Sequence, residues 1–165
     1  MGSDAGVFDW RSMFHQWGER WMLFARQQAG TQLDPEDLVQ DALLHIWKKQ
    51  SEFASIEPGL VFSQIRLSAL ARRRAVNRRS DREKAYHELH VESAWFAPEP
   101  GLSENLEGCL GQLPQEQQEV IVLRIWAGLS FEEIGRVLEI SPNTGASRYR
   151  YGLARLKGLM GGDEQ

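Results

Sequence analysis

Apolar residues recur at three- and four-residue spacing along nearly the whole chain. No stretch sustains the period-two alternation with β-branched enrichment of a strand, so the pattern predicts an all-α protein. A first helix is expected over 7–28, where Phe8, Met13, Phe14, Trp17, Trp21 and Phe24 make an aromatic stripe and Gly30 can stop it. The second start is sharply marked: Asp34 can cap, Pro35 suits the first turn, and Glu36 and Asp37 complement the helix dipole. Leu38, Ala42, Leu43, Ile46 and Trp47 then share an inward face, while Gln40, Asp41, Leu44 and Lys48 point elsewhere. A loop with Pro58 and Gly59 follows. A third helix, over about 60–79, has a ragged apolar side of Val61, Ile65, Leu67, Leu70, Ala71 and Val76, with arginines covering the rest.

Between 85 and 111 the pattern weakens. Ala97-Pro98-Glu99-Pro100-Gly101 cannot be regular helix, because two prolines remove donors and restrict their neighbours. This marks a boundary. Beyond it, Pro114 opens a helix carrying Val120, Ile121, Leu123, Ile125 and Trp126 that ends near Gly128. Ser130-Phe131-Glu132-Glu133 is a capping box before a short face of Ile134, Val137 and Leu138. Ser141 caps again, with Pro142 at the first helical position, and the last helix runs to about 160 with Tyr149, Leu153 and Leu156 inward. The expected architecture is two small helical domains joined by a flexible acidic linker.

Composition adds limits. The 165 residues are 42% apolar and 25% charged, a globular balance. One cysteine, Cys109, excludes a disulfide framework. No apolar run is long enough to span a bilayer, and no basic segment followed by an apolar one marks a secretory signal, so a cytoplasmic protein with no membrane insertion is expected. The net charge of -4 argues against a nucleic-acid ligand until it is divided along the chain. Residues 66–84 hold 8 basic and 2 acidic side chains, 85–119 hold 7 Glu and no Lys or Arg, and 140–158 hold four basic side chains and no acid. A basic cluster along a helix is the footprint of a phosphate backbone, although a solvated helix face has the same composition.

A helix of about eight residues, a tight turn and a second helix rich in Arg and small polar groups form a helix-turn-helix pattern. The second helix presents Asn143, Ser147, Arg148 and Arg150 for bases or phosphates. Asn and Arg suit bidentate base contacts worth about 1–3 kcal/mol of discrimination each. Ser141, Thr144 and the free amides of the helix start suit phosphate oxygens. Two positions depart from the usual motif. Glu139 holds the turn place that favours Gly, at a cost of about 1 kcal/mol if left-handed. Gly145 holds an early buried place that is usually β-branched.

The segment LPQEQQEVIVLRIWAGLSFEEIGRVLEISPNTGASRYRYGLARLK (113–157) resembles region 4 of the sigma-70 family of bacterial transcription initiation factors. DPEDLVQDALLHIWKK (34–49) resembles region 2.2 of that family, and the basic helix over 65–82 is similar to its regions 2.3 and 2.4. The order of the signatures and the absence of further domains match the extracytoplasmic-function group. The resemblance divides the chain into a region 2-like domain (1–84), a linker (85–112), a region 4-like domain (113–160) and a tail (161–165).

The resemblance implies a factor that binds core RNA polymerase and directs it to promoters, with no catalysis, cofactor or metal of its own. Asp37, Leu38, Gln40, Asp41 and Leu44 match positions that dock on the β′ clamp helices, with Asp41 where Glu is commoner. Arg72, Arg73, Arg74, Asn77, Arg78, Arg79 and Arg82 match the basic face that holds the −10 element, and a loop pocket before it would capture one unstacked base, with Phe62 as the nearby aromatic. Ser141, Asn143, Thr144, Ser147, Arg148 and Arg150 would read the −35 element, and Ala146 replaces a commonly basic residue. The implied partners are core polymerase, through the clamp helices and the β flap, promoter DNA and an anti-sigma factor. A stand-alone helix-turn-helix regulator is the alternative. A metal or enzyme site would have to use His87 and His90 with Cys109 and Glu88 or Glu92, whose spacing is too close for the usual i, i+4 zinc pair.

Overall fold

Side-chain caps and prolines set the helix boundaries. In a computed structural model that describes residues 8–82 and 104–161, Asp9 accepts the Ser12 amide at 3.0 Å and starts helix α1 at Trp10, which runs to Ala29. Asp34 accepts the Glu36 amide at 2.8 Å ahead of α2, Pro35–Lys48. A single 3₁₀ turn, Gln50–Glu52, leads into a loop, and α3 then spans Pro58–Arg82, longer at both ends than its apolar spacing predicts. Proline fits the first helical position, and arginine is a good helix former, so the basic run extends the helix beyond its buried part.

The second unit begins with α4, Glu104–Gly111, inside the stretch read as linker. Helix α5, Gln115–Ile121, continues as a wider π-helical turn over Val122–Trp126. Helices α6, Phe131–Leu138, and α7, Pro142–Gly161, follow. The described residues contain no strand, as the periodicity predicts. The segment 97–101, His87, Glu88, His90, Glu92 and residues 162–165 of the tail lie outside the described residues.

Helices α1, α2 and α3 close on one another around Trp21, Phe24, Leu38, Ile46, Phe62 and Ile65, all fully buried. Phe62 meets Phe24 edge-on at 5.6 Å and Trp17 at 6.3 Å. It is therefore a core residue and cannot be the aromatic that holds an unstacked base. The inward reading of Trp47 is corrected: it is 54% exposed, and Phe14 of the stripe (51%), Leu67 (48%) and Ile125 (47%) also face solvent. Ile46 points straight inward, and its successor Trp47 lies about 100° further round the helix, outside the contact.

The second unit packs Leu110, Leu113, Val120, Ile121, Leu123 and Ile134 between α4, α5, α6 and α7. The capping box forms in both directions: the Glu133 amide donates to Ser130 Oγ at 3.2 Å, and the Ser130 amide donates to Glu133 Oε2 at 2.8 Å. Glu139 adopts φ 57° and ψ 44°, the left-handed turn expected of it. A Cβ on Gly135 would stand 2.7 Å from the Ile140 carbonyl oxygen, so this residue must be glycine for the turn to close. Glu139→Gly should relieve the left-handed strain and stabilise this unit by about 1 kcal/mol, read as a higher thermal midpoint.

The two units share one apolar core. Helix α3 packs on α6, and α1 packs on α5 and the wide turn after it. Arg20 donates to the Ala127 carbonyl at 3.5 Å across the same boundary. No helix among the described residues is long and apolar enough to cross a membrane.

Candidate nucleic-acid interface

Three surfaces carry the predicted residues. The first is the outer stripe of α2. Asp37, Gln40 and Leu44 are exposed and Asp41 is half-buried, at steps of three and four that stack them along one side. Leu38 does not belong to it: this side chain is fully buried and supports the stripe from inside. Trp47 continues the stripe one turn beyond Leu44. The same three-and-four arithmetic that selects Gln40 and Leu44 also selects Trp47, but its apolar character assigns it to the core. Two large apolar side chains, each over half exposed, beside two carboxylates make a surface suited to a basic, partly apolar partner helix.

The second surface is α3. Seven residues from Arg72 to Arg82 are expected to form one basic face, and the helix divides them instead, because each step turns about 100°. Arg72 bonds the Asp41 carboxylate and stands 3.7 Å from Asp37, so it ties α3 to the α2 stripe. Arg73 turns toward the second unit and donates to the Gln28 carbonyl at 2.6 Å. Arg74, Asn77, Arg78 and Arg79 are exposed and make up the solvent-facing part. Arg82 is the last residue of α3. In front of this helix, a cavity of about 400 Å³ is lined by Trp17, Phe53, Ser55 and Leu60 on one side and by Glu133 and Arg136 of α6 on the other. Phe53 is the partly buried aromatic of the loop, the position that reading Phe62 as a contact overlooks.

The third surface is the start of α7. Ser141 Oγ accepts the Thr144 amide at 3.1 Å and lies 2.9 Å from Thr144 Oγ1, so both hydroxyls are engaged in the cap. Pro142 has no N–H, which leaves the Asn143 amide to face an anion at the positive end of the helix. Asn143 and Arg150 are exposed and Ser147 is half-buried. Arg148 leans back to Glu116 of α5 at 3.8 Å, an exposed pair of little energetic weight. Gly145 is buried against Ile134, Ile140 and Phe131, so α7 sits close on α6. Phe131 and Tyr149 meet edge-on at 5.6 Å, and the Arg124 guanidinium lies over Phe131 at 4.8 Å. These contacts hold α7 rigidly with its first turns outward, the arrangement a groove-reading helix requires.

Known proteins share the sequence family and the fold of this chain. Residues 103–156 match the family model described as sigma-70, region 4. The sigma factor CarQ of Myxococcus xanthus is 33% identical over 139 residues, covering 76% of this chain and 74% of that protein. The extracytoplasmic-function sigma factor SigE of Mycolicibacterium smegmatis is 25% identical over 96% of this chain, which spans 64% of SigE's length. Among solved structures, the sigma factor RpoE of Bartonella quintana, crystallised with the anti-sigma factor NepR, superposes with a TM-score of 0.80 at 24% identity, covering 96% of this chain and all of that one.

Proposed function

The chain belongs to the extracytoplasmic-function group of the sigma-70 family, and from that membership we propose that it binds core RNA polymerase and carries it to promoters. The observation that carries this reading is the exposed α2 stripe of Asp37, Gln40, Leu44 and Trp47. A regulator that only reads duplex DNA has no use for such a surface beside its DNA-facing helices. In this reading α2 docks on the polymerase clamp, with Asp41 held in place by Arg72. Arg74, Asn77, Arg78 and Arg79 hold the phosphates of the opened −10 strand, and the cavity by Phe53 takes an unstacked base. Asn143, Ser147 and Arg150 read the −35 element in the major groove, while the Ser141 cap and the first turn of α7 lean on a phosphate. The division into a region 2-like domain (1–84), linker (85–112) and region 4-like domain (113–160) accompanies it. The chain performs no chemical step itself, and its place is the cytoplasm, with the polymerase. An anti-sigma partner, as RpoE has in NepR, fits the same reading.

The test is run-off transcription from genomic promoter fragments with purified core enzyme. Promoter-dependent transcripts support the proposal, and no core binding at micromolar concentration overturns it. Two further outcomes are expected. Arg150→Ala should cost about 1–3 kcal/mol in −35 binding and relax specificity at one base pair, read by competition against substituted duplexes. Arg74→Ala with Arg78→Ala should weaken single-strand binding without sequence preference, and should flatten the salt dependence by about 0.7 per lost phosphate contact.

A further inference from the structure

Another cavity, of about 320 Å³, opens where the end of α1 meets α3 and the start of α5. Its size falls at the lower end for a small-molecule site. Gln27, Thr31 and Gln32 line it from the end of α1 and the turn beyond, Arg73 from α3, and Gln115 and Gln118 from α5. Arg73, which stands apart from the solvent-facing arginines of α3, is its one charged side chain among the described residues.

The walls hold donors that lack acceptors. Gln27 is 6% exposed. Its Oε1 accepts from Gln28 Nε2 at 2.7 Å, which orients the amide, and its own Nε2 is buried without a partner. Arg73 donates through Nη2 to the Gln28 carbonyl at 2.6 Å, and its Nε is also buried without a partner. A buried donor left unpaired is costly, and a charged one more so. The charge is out of balance too. Glu119 is the carboxylate that offsets Arg73, and it is shared: Arg66 Nε stands 4.0 Å from it, and Gln28 Nε2 donates to it at 2.7 Å. Burial pushes Arg73 below the usual arginine range, Glu119 opposes that shift, and Arg66 adds to it. One positive charge is left over beside a cavity with no carboxylate in its described lining. Such a site suits a small anion, and guanidinium and amide donors suit the oxygens of a phosphate. Thr31, Gln32 and Gln115 are exposed at its rim and carry groups that both donate and accept, as the hydroxyls of a sugar require.

We propose that this cavity binds a small phosphate monoester of a sugar or nucleoside, with Arg73 and Gln27 holding the phosphate and Thr31, Gln32 and Gln115 the hydroxyl-bearing body. The site stands independently of the sigma reading, because it uses none of the residues that the polymerase and promoter surfaces use. Its donors come from α1 and α3 and its rim from α5, so occupancy stabilises the folded chain by mass action.

The test titrates the full chain with ribose 5-phosphate, adenosine 5′-monophosphate and inorganic phosphate, with adenosine as the uncharged counterpart, by calorimetry and thermal unfolding. At least one of the two esters should saturate at one per chain, raise the thermal midpoint and bind about tenfold or more tighter than adenosine, the effect of a charged hydrogen bond. Inorganic phosphate should bind at the same place more weakly and be displaced by the ester. Gln27→Glu keeps the acceptor for Gln28 but replaces the idle donor with a carboxylate, and should weaken the ester by about tenfold or more. Gln115→Glu sits at the exposed first turn of α5, where an acid suits the helix dipole. It leaves the core untouched and should weaken the ester by about threefold or more. Should Gln27→Glu lose helicity, Gln115→Glu carries the test. Saturation by neither ester below about 1 mM overturns the site, and so does adenosine binding as tightly as its phosphate. Affinity that these substitutions leave within about twofold of wild type overturns it as well, and places the anion elsewhere, such as the start of α7. Displacement of the ester by a short oligonucleotide lacking a terminal phosphate would assign the cavity to the nucleic-acid backbone and overturn the proposal. Failure of run-off transcription would count against the sigma reading alone, since calorimetry reports this site without polymerase.

Discussion

Phe62→Ala is expected to remove about 3–5 kcal/mol of stability, the usual cost of truncating a fully buried aromatic. The ring is fully buried and makes edge-on contacts with both Phe24 and Trp17, so its loss opens a void between α1 and α3 on two sides. Against a total of about 5–15 kcal/mol for an ordinary domain, that is a third or more of what holds the chain folded. Urea unfolding followed by helicity should show the midpoint falling with little change of slope. Phe53 supplies the contrast. It is only partly buried and lines the open cavity, so Phe53→Ala should cost little stability and instead weaken capture of the opened strand. A Phe62→Ala chain within about 1 kcal/mol of wild type would contradict the core assignment.

The helix order was legible because local chemistry set it. Asp34-Pro35, Ser130 to Glu133 and Ser141-Pro142 each satisfy orphan amides from their own side chains, so no distant contact is needed to place those starts. Glu139 was legible for a related reason, since the turn demands a left-handed residue whatever side chain occupies it. The direction of each helix face was less so. Trp47 is apolar and its spacing assigns it inward, yet it sits about 100° from the buried Ile46 and is 54% exposed. Composition says what a residue prefers, and only packing says whether a partner is available.

The arginine run shows the same limit in charge. Seven residues in a short stretch read as one basic surface, but Arg72 and Arg73 each have partners in other elements. Those partners, Asp41 and Gln28, lie 31 and 45 residues away. The Gln28–Glu119 hydrogen bond was invisible for this reason: its two residues are separated by 91 residues. Glu119 counts in the sequence as one more charge of the acidic stretch 85–119, whereas it is a buried side chain of the second unit.

Leu44→Ala with Trp47→Ala is expected to remove most of the affinity for core polymerase while leaving the fold intact. Both side chains are more than half exposed, so truncation opens no cavity, and thermal stability should hold or rise slightly. At an interface their position changes. Large apolar side chains flanked by charges at the centre of a contact are where binding energy concentrates, and each is worth about 2 kcal/mol or more on truncation. Every 1.4 kcal/mol is about tenfold in affinity, so the pair should weaken binding by several hundredfold. Arg72→Ala should act on the same contact more mildly: it leaves Asp37 and Asp41 charged and exposed but no longer held in register, and its cost should stay within about 1 kcal/mol, the range of an exposed pair. Binding of the −35 duplex by α7 should be unchanged in both variants, because that helix lies in the other unit. Titration of labelled core enzyme separates the outcomes: an affinity within about threefold of wild type for the double variant would remove the α2 stripe from the interface.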